Sequence, residues 1–161
     1  NTPHRGCEFA DYLLNKISPK IKNKVADTYN RALKRLGDEN PDFLAAVGNL
    51  TASYCEPLDR EMKTPDGVFC QSIGSVLKKS KSGKFPLNFS YHLVKYFDGK
   101  NDGLVGEQSF SWGEKYTLVT NGKKQGVSHG DIIDLYRTNI DGFDVREFYV
   151  QLVNDLKNRG L

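Results

Sequence analysis

The balance between strands and helices is the sequence feature that most constrains the fold of this chain. Only residues 67–76 and 115–120 have the short β-branched and aromatic runs that predict strands, whereas four other segments have helical spacing of apolar residues. Two strands alone are marginally stable, and a helix with an apolar stripe must bury it against a sheet or another helix. We therefore expect the 161 residues to form the C-terminal half of an α/β fold.

Three of the predicted helices lie in the first third of the chain. The first covers residues 8–16 and ends before Pro19, and the third follows Pro41. Between them, residues 19–36 form a longer helix that ends near Gly37. Its narrow apolar stripe lies between many lysines and arginines and consists of Ile21, Val25, Tyr29, Ala32, Leu33 and Leu36. The pattern predicts a helical insertion with a thin apolar face.

The fourth predicted helix is at the C-terminal end. Asp144 and Glu147 have the spacing of a capping box, and Gly160 is placed to end the helix. The apolar residues follow positions i, i+3, i+4, i+7, i+8 and i+11, and they are Val145, Phe148, Tyr149, Leu152, Val153 and Leu156. This spacing predicts a long amphipathic helix.

Charge and cysteine content argue against several classes of protein. The net charge of +3 comes from 23 basic and 20 acidic residues, with much of the excess in residues 18–24 and 78–84. Neither run interleaves aromatic residues with its lysines, as a nucleic-acid site would. The pattern favours a solvated charged face, and we expect no nucleic-acid partner. Cys7, Cys55 and Cys70 are an odd, widely spaced set that predicts neither a disulfide framework nor a thiolate zinc site. No apolar run approaches the roughly 20 residues that span a bilayer.

Two short motifs contain residues suited to acid–base chemistry. Asp102 lies in an Asn-Asp-Gly turn just before apolar residues, and His129 lies in a Ser-His-Gly-Asp loop after the second predicted strand. Taken alone, each motif has an ordinary explanation, namely an Asp-Gly turn and a surface histidine. Their order along the chain is more informative: loop carboxylate, strand, loop histidine, amphipathic helix. This is the order of acid and base in the α/β hydrolases.

Three stretches resemble the bacterial triacylglycerol lipases of the α/β-hydrolase type. They are Thr-Pro-His-Arg-Gly at residues 2–6, Asn-Asp-Gly-Leu-Val at 101–105 followed by Trp112-Gly113, and Val-Ser-His-Gly-Asp at 127–131. The strand around Gln71-Ser72 also fits. Because the three stretches occur in the family's order over nearly the whole chain, the resemblance is stronger than any one motif.

The resemblance implies a catalytic role for two residues and a lid. Asp102 corresponds to the acid and His129 to the base of a Ser-Asp-His triad. The helices at about residues 18–50 correspond to a lid or cap over the substrate, with Ile21, Val25 and Tyr29 as candidates for substrate contact. Residues 1–161 then form the C-terminal part of one α/β-hydrolase domain.

The sequence contains no candidate nucleophile that fits the triad. No Gly-x-Ser-x-Gly motif occurs, and the nearest glycine-flanked serine, Ser75, lacks the strand, tight turn and helix of a nucleophile elbow. In the lipases the Thr-Pro-His-Arg-Gly stretch follows the strand after that elbow. We therefore expect Asn1 to begin just downstream of an N-terminal half that contains the serine.

Asp131 is the one residue with a candidate metal-binding role. Several related lipases have a calcium-ligating carboxylate at the corresponding position. Calcium needs several oxygen ligands, and Asp98, Asp134 and Asp141 offer no clear partner, so a carboxylate that braces the loop is favoured. No cofactor is expected to be required.

Three further residues favour structural explanations. His4 corresponds to a loop residue in the lipases, and His92 lies between tyrosines in a segment where a packed or surface histidine is the default. Cys7 follows Arg-Gly, and we expect it to be a small buried residue rather than a nucleophile.

The expected function is hydrolysis of carboxylic esters, with an acyl glycerol, similar lipid or small ester as substrate. The chain should be inactive without the N-terminal half, which is its expected partner. The predicted lid is compatible with contact at a lipid interface, and the resemblance favours secretion. The alternative is a non-catalytic α/β-hydrolase-like binding module, whose N-terminal half would lack the Gly-x-Ser-x-Gly motif.

Overall fold

The computed structural model describes residues 2–121 and 123–161. Asn1, expected to follow a strand, and Gly122, which follows the second predicted strand, lie outside the described residues. The described part is a mixed α/β structure of six helices and two strands, as the sequence predicts at this level. In chain order the elements are α1 (Glu8–Asn15), α2 (Pro19–Arg35), α3 (Phe43–Gly48), α4 (Ala52–Glu61), β1 (Gln71–Ser75), α5 (Leu87–Asp98), β2 (Lys115–Val119) and α6 (Val145–Asn158).

The two strands pair in parallel, with Gln71 opposite Lys115 and Ser75 opposite Val119. The sequence places both strands, but β1 begins four residues later than predicted because Gly67 lies in a turn with a φ of 75°. Parallel strands end at the same edge of a sheet, so the loops after β1 and β2 meet there. Val127 N donates a hydrogen bond to Val76 O, 2.9 Å away.

Close approach of these two loops requires a glycine. Gly126 has a φ of 76°, and a Cβ at this position would lie 2.2 Å from the carbonyl oxygen of Val76. A side chain would therefore clash with the backbone and strain its own conformation. The missing side chain lets the segment before His129 lie directly on the segment after β1.

The first three helices agree with the sequence prediction, whereas α4 and α5 have no predicted counterpart. Pro57, a residue that disfavours helix interiors, lies inside α4. The amino end of α4 is capped from another helix, because Asp11 Oδ2 accepts hydrogen bonds from Ala52 N at 2.6 Å and Ser53 N at 3.2 Å. Such a cap joins residues about forty positions apart, so no local pattern signals it.

The predicted insertion of residues 18–50 packs against α1. Val25 and Tyr29 of α2 are buried in a core cluster with Leu13 of α1, and the Tyr29 ring stacks on Phe43 with centroids 4.2 Å apart. Ile21 and Leu36, at the two ends of the predicted stripe, are each 55% exposed. The thin apolar face is thus used as core over most of its length.

A second core cluster lies under β2 and the loops that follow it. Its buried residues are Val119, Val127, Ile132, Ile140, Phe143 and Val145. Helix α6 is capped by Asp144, whose Oδ1 accepts hydrogen bonds from Arg146 N and Glu147 N. The Glu147 carboxylate instead accepts a hydrogen bond from Gln151 Nε2. Within residues 123–161, the predicted capping box is therefore formed only by the hydrogen bonds to Asp144. Among the described residues, no helix is long and apolar enough to cross a bilayer.

Candidate active site

The turn that contains Asp102 is held by hydrogen bonds on both sides of that residue. Asn101 pairs with Gly106 in an antiparallel bridge, and Asp102 N donates to Val105 O at 3.2 Å. The Asp102 Oδ1 atom accepts hydrogen bonds from Leu104 N at 3.0 Å and Val105 N at 2.8 Å. The fully buried Asp102 side chain is therefore fixed in orientation.

Asn101 and Gly103 give the turn its shape. The fully buried Asn101 amide donates to Gly99 O at 2.9 Å and Tyr91 O at 3.3 Å, and its Oδ1 accepts from Gly103 N at 2.9 Å. Gly103 has a φ of 100°, and a Cβ there would lie 2.9 Å from Leu87 Cβ. Both members of the Asn-Asp-Gly motif that flank the acid thus have structural roles.

His129 reaches the same turn from the loop after β2. Its backbone N donates to Asp102 O at 2.9 Å, and its side-chain Nδ1 lies 2.7 Å from Asp102 Oδ2. The structure therefore brings together two residues that are 27 positions apart. The Asp102 side chain is fully buried, whereas the His129 side chain is 29% exposed.

The contact fixes the chemical form of the neutral imidazole. A carboxylate accepts hydrogen bonds, so Nδ1 is the donor and Nε2 holds the lone pair. Within residues 2–121 and 123–161, Nε2 forms no hydrogen bond. The ring can therefore accept a proton at Nε2, and Asp102 can stabilise the resulting cation.

Asp131 braces the loop on which His129 lies. Its Oδ2 accepts hydrogen bonds from Ser128 N at 3.0 Å and Ser128 Oγ at 2.6 Å, and Asp131 N donates to Ser128 Oγ at 3.2 Å. This is the bracing arrangement that the sequence favours over a calcium site. Across the described residues, no group of three or more His, Cys, Asp and Glu side chains is placed to hold a metal ion.

The other histidines and the candidate serine lie in different surroundings. The His4 ring stacks on Trp112 with centroids 5.1 Å apart, and its burial lowers the pKa of His4 despite the opposing effect of Asp59. His92 Nε2 lies 3.0 Å from Ser80 Oγ at an exposed site. Ser75 is fully buried at the carboxyl end of β1.

An apolar cavity of about 200 Å³ adjoins the Asp102 turn. Leu104 and Val105, the residues that donate to the Asp102 carboxylate, line it together with Tyr29 and Phe43. Of the three predicted substrate contacts, Tyr29 lines the cavity, Val25 is buried in the neighbouring core and Ile21 is exposed. A chain of apolar groups could occupy this space.

Sequence reasoning missed the role of Asp98, which it considered only as a calcium partner. The Asp98 carboxylate is buried and accepts hydrogen bonds from Glu8 N at 2.9 Å, Phe9 N at 3.3 Å and Cys7 Sγ at 3.3 Å. It thus caps α1 from the end of α5. The partners are about ninety residues apart, and the sequence offers no local signal for the contact.

Comparison with known proteins adds no relative: no protein-family model matches the chain, and no curated protein matches it.

Proposed function

We propose that this chain provides the acid and base of a serine hydrolase that cleaves carboxylic esters of acyl glycerols or similar lipids. The observation that supports this most directly is the 2.7 Å contact between His129 Nδ1 and the buried Asp102 Oδ2. A buried, backbone-held carboxylate that orients a partly exposed histidine is the base and orienter arrangement of a triad.

In the proposed reaction, His129 Nε2 takes the proton of a serine hydroxyl as its oxygen attacks the ester carbonyl. The ring returns this proton to the departing alcohol, which leaves an acyl-enzyme. Water then attacks the acyl group, with His129 again taking and returning a proton, and the free acid is released. Asp102 holds the tautomer and stabilises the imidazolium ion, and it remains ionised throughout.

The nucleophilic serine is proposed to come from polypeptide outside these 161 residues. The sequence contains no Gly-x-Ser-x-Gly motif, and the glycine-flanked Ser75 is fully buried at the end of a strand. A nucleophile elbow requires an exposed serine on a tight turn between a strand and a helix.

The apolar cavity supports an acyl group as the substrate moiety. The cavity adjoins the residues that immediately follow Asp102 and is lined almost entirely by apolar side chains. Binding sites for small molecules are mostly apolar, with a few polar groups that fix orientation. Because Leu104 and Val105 both line the cavity and donate to the Asp102 carboxylate, an acyl chain bound there would lie beside the turn that holds Asp102.

Labelling with a fluorophosphonate, followed by peptide mapping of the full-length protein, tests the proposal. We expect one labelled serine, located outside the 161 residues, and loss of labelling after His129→Ala. A labelled serine within the 161 residues would refute the external nucleophile. Absence of any labelled serine would instead favour the non-catalytic binding module.

A further inference from the structure

Helix α5 exposes a row of apolar side chains on the face opposite its core contacts. Leu87, Tyr91 and Val94 are buried. On the other side, Phe89, Leu93 and Tyr96 follow the spacing i, i+4 and i+7 and are 47%, 37% and 82% exposed. A surface helix of a globular protein usually has polar residues on its outer face. Within the described residues, the outward row of α5 is therefore left exposed to a binding partner.

Phe85, which lies just before the helix, is also 49% exposed. The neighbouring loop adds the exposed lysines Lys79 and Lys81. We call this surface the α5 patch, and its members are Lys79, Lys81, Phe85, Phe89, Leu93 and Tyr96.

The charge around the α5 patch is of one sign. Residues 78–97 contain five lysines and no aspartate or glutamate, although the whole chain has a net charge of only +3. The remainder of the chain is therefore net acidic. Within the described residues, none of the five lysines forms an ion pair with a carboxylate. Two of them donate hydrogen bonds to uncharged groups, Lys84 Nζ to Thr138 Oγ1 at 2.9 Å and Lys78 Nζ to Lys123 O at 2.8 Å.

We infer that the α5 patch binds a lipid surface with anionic headgroups. Exposed aromatic and aliphatic side chains next to lysines are the features of helices that lie in a membrane interface. The lysines attract the anionic headgroups, and the aromatic row enters the boundary between headgroups and acyl chains. Charge complementarity thus favours an anionic lipid surface over a second copy of this chain, which would bring a second cluster of lysines to the contact.

Helix α5 has the α5 patch on its outer face, and neither Asp102 nor His129 belongs to the patch. On the buried face of α5, Ser90 Oγ donates a hydrogen bond to Gly103 O in the Asp102 turn. The inference goes beyond the proposed function, because adsorption to a surface requires neither Asp102 nor His129. Binding and hydrolysis can therefore fail independently.

Co-sedimentation of the full-length protein with vesicles tests this inference. One set of vesicles contains phosphatidylcholine alone, and the other also contains phosphatidylglycerol. We expect binding to the second set that weakens as salt rises. Lys79→Gln with Lys81→Gln should weaken it roughly 25-fold, at about fivefold per lysine. Phe89→Ser with Tyr96→Ser should weaken it at least about tenfold.

Matched double variants on other elements serve as controls. Lys20→Gln with Lys24→Gln removes the same charge from the exposed side of α2, and Tyr54→Ser with Leu58→Ser removes exposed apolar groups from α4. Both controls should bind within about twofold of the parent. Equal losses in patch and control variants would overturn the inference, as would self-association through the patch without vesicle binding. Ester hydrolysis of soluble substrates should be unchanged in the patch variants.

Discussion

At the scale of single residues, Asp102 is the most constrained side chain of the site: it is fully buried, its Oδ1 accepts two backbone hydrogen bonds, and its Oδ2 lies 2.7 Å from His129 Nδ1. The Asn-Asp-Gly turn and the loop histidine are local motifs, so both positions were predictable from neighbouring residues. The full burial of Asp102 and its two backbone donors depend on the path of the chain through the turn. The function of Asp98 was not predictable, because its partners Glu8 and Phe9 are distant in sequence.

The surroundings of Cys7 predict low thiol reactivity. Burial raises the pKa of Cys7, and the charge of nearby Asp98 raises it further, so the reactive thiolate is scarce at neutral pH. In the folded protein, iodoacetamide should modify the partly exposed Cys70 much faster than Cys7, as followed by peptide mass spectrometry. In urea the two rates should become similar. Equal rates in the folded protein would contradict the buried contact with Asp98.

At the scale of secondary-structure elements, periodic apolar spacing predicted α1, α2, α3 and α6. It did not predict α4, because Pro57 in its interior is a residue that disfavours helices. The residue that caps α4 is Asp11 of α1, which is distant in sequence. It also failed for α5, whose apolar residues lie on both faces and so lack the usual one-sided pattern. Elements whose ends or faces depend on distant partners were the ones that sequence reasoning missed.

The distant cap of α1 predicts a large effect of one substitution. Asp98→Ala removes the acceptor for two backbone donors at the start of α1, of which Phe9 N is buried and Glu8 N is partly buried. We expect the free energy of unfolding to fall by about 2 kcal/mol, measured by urea denaturation. Asp144→Ala is the control, because it removes an exposed local cap with two donors and should cost about 1 kcal/mol. A loss for Asp98→Ala no larger than for Asp144→Ala would contradict this account.

At the scale of the whole molecule, the sequence predicted a mixed α/β structure with few strands and many helices. It could not predict that residues 18–50 would pack against α1, since a thin apolar stripe does not specify its partner. This packing produces the apolar cavity beside the Asp102 turn. The relation between the helical insertion and the acid–base pair is thus a result of tertiary structure.

Filling the cavity should change the preference for acyl chain length. Ala46 is exposed and lines the cavity, whereas its exposed neighbour Ala45 does not line it. Ala46→Phe should lower kcat/KM for long-chain esters on the order of tenfold, because lost apolar contacts of a few methylenes have this effect. The kcat/KM of Ala46→Phe for short-chain esters should equal that of the parent. Ala45→Phe should match the parent for both long-chain and short-chain esters. An equal effect on long and short esters would place the acyl group elsewhere.

The central claim is that Asp102 and His129 are the acid and base of an ester hydrolase. Its most direct test is the rate at which the full-length protein with His129→Ala hydrolyses a p-nitrophenyl ester. The control is His92→Ala, which removes an exposed histidine. Circular dichroism should show that both variants are folded. We predict that His129→Ala lowers kcat on the order of a thousandfold or more, with His92→Ala close to the parent. Activity of His129→Ala within a few-fold of the parent would contradict the claim.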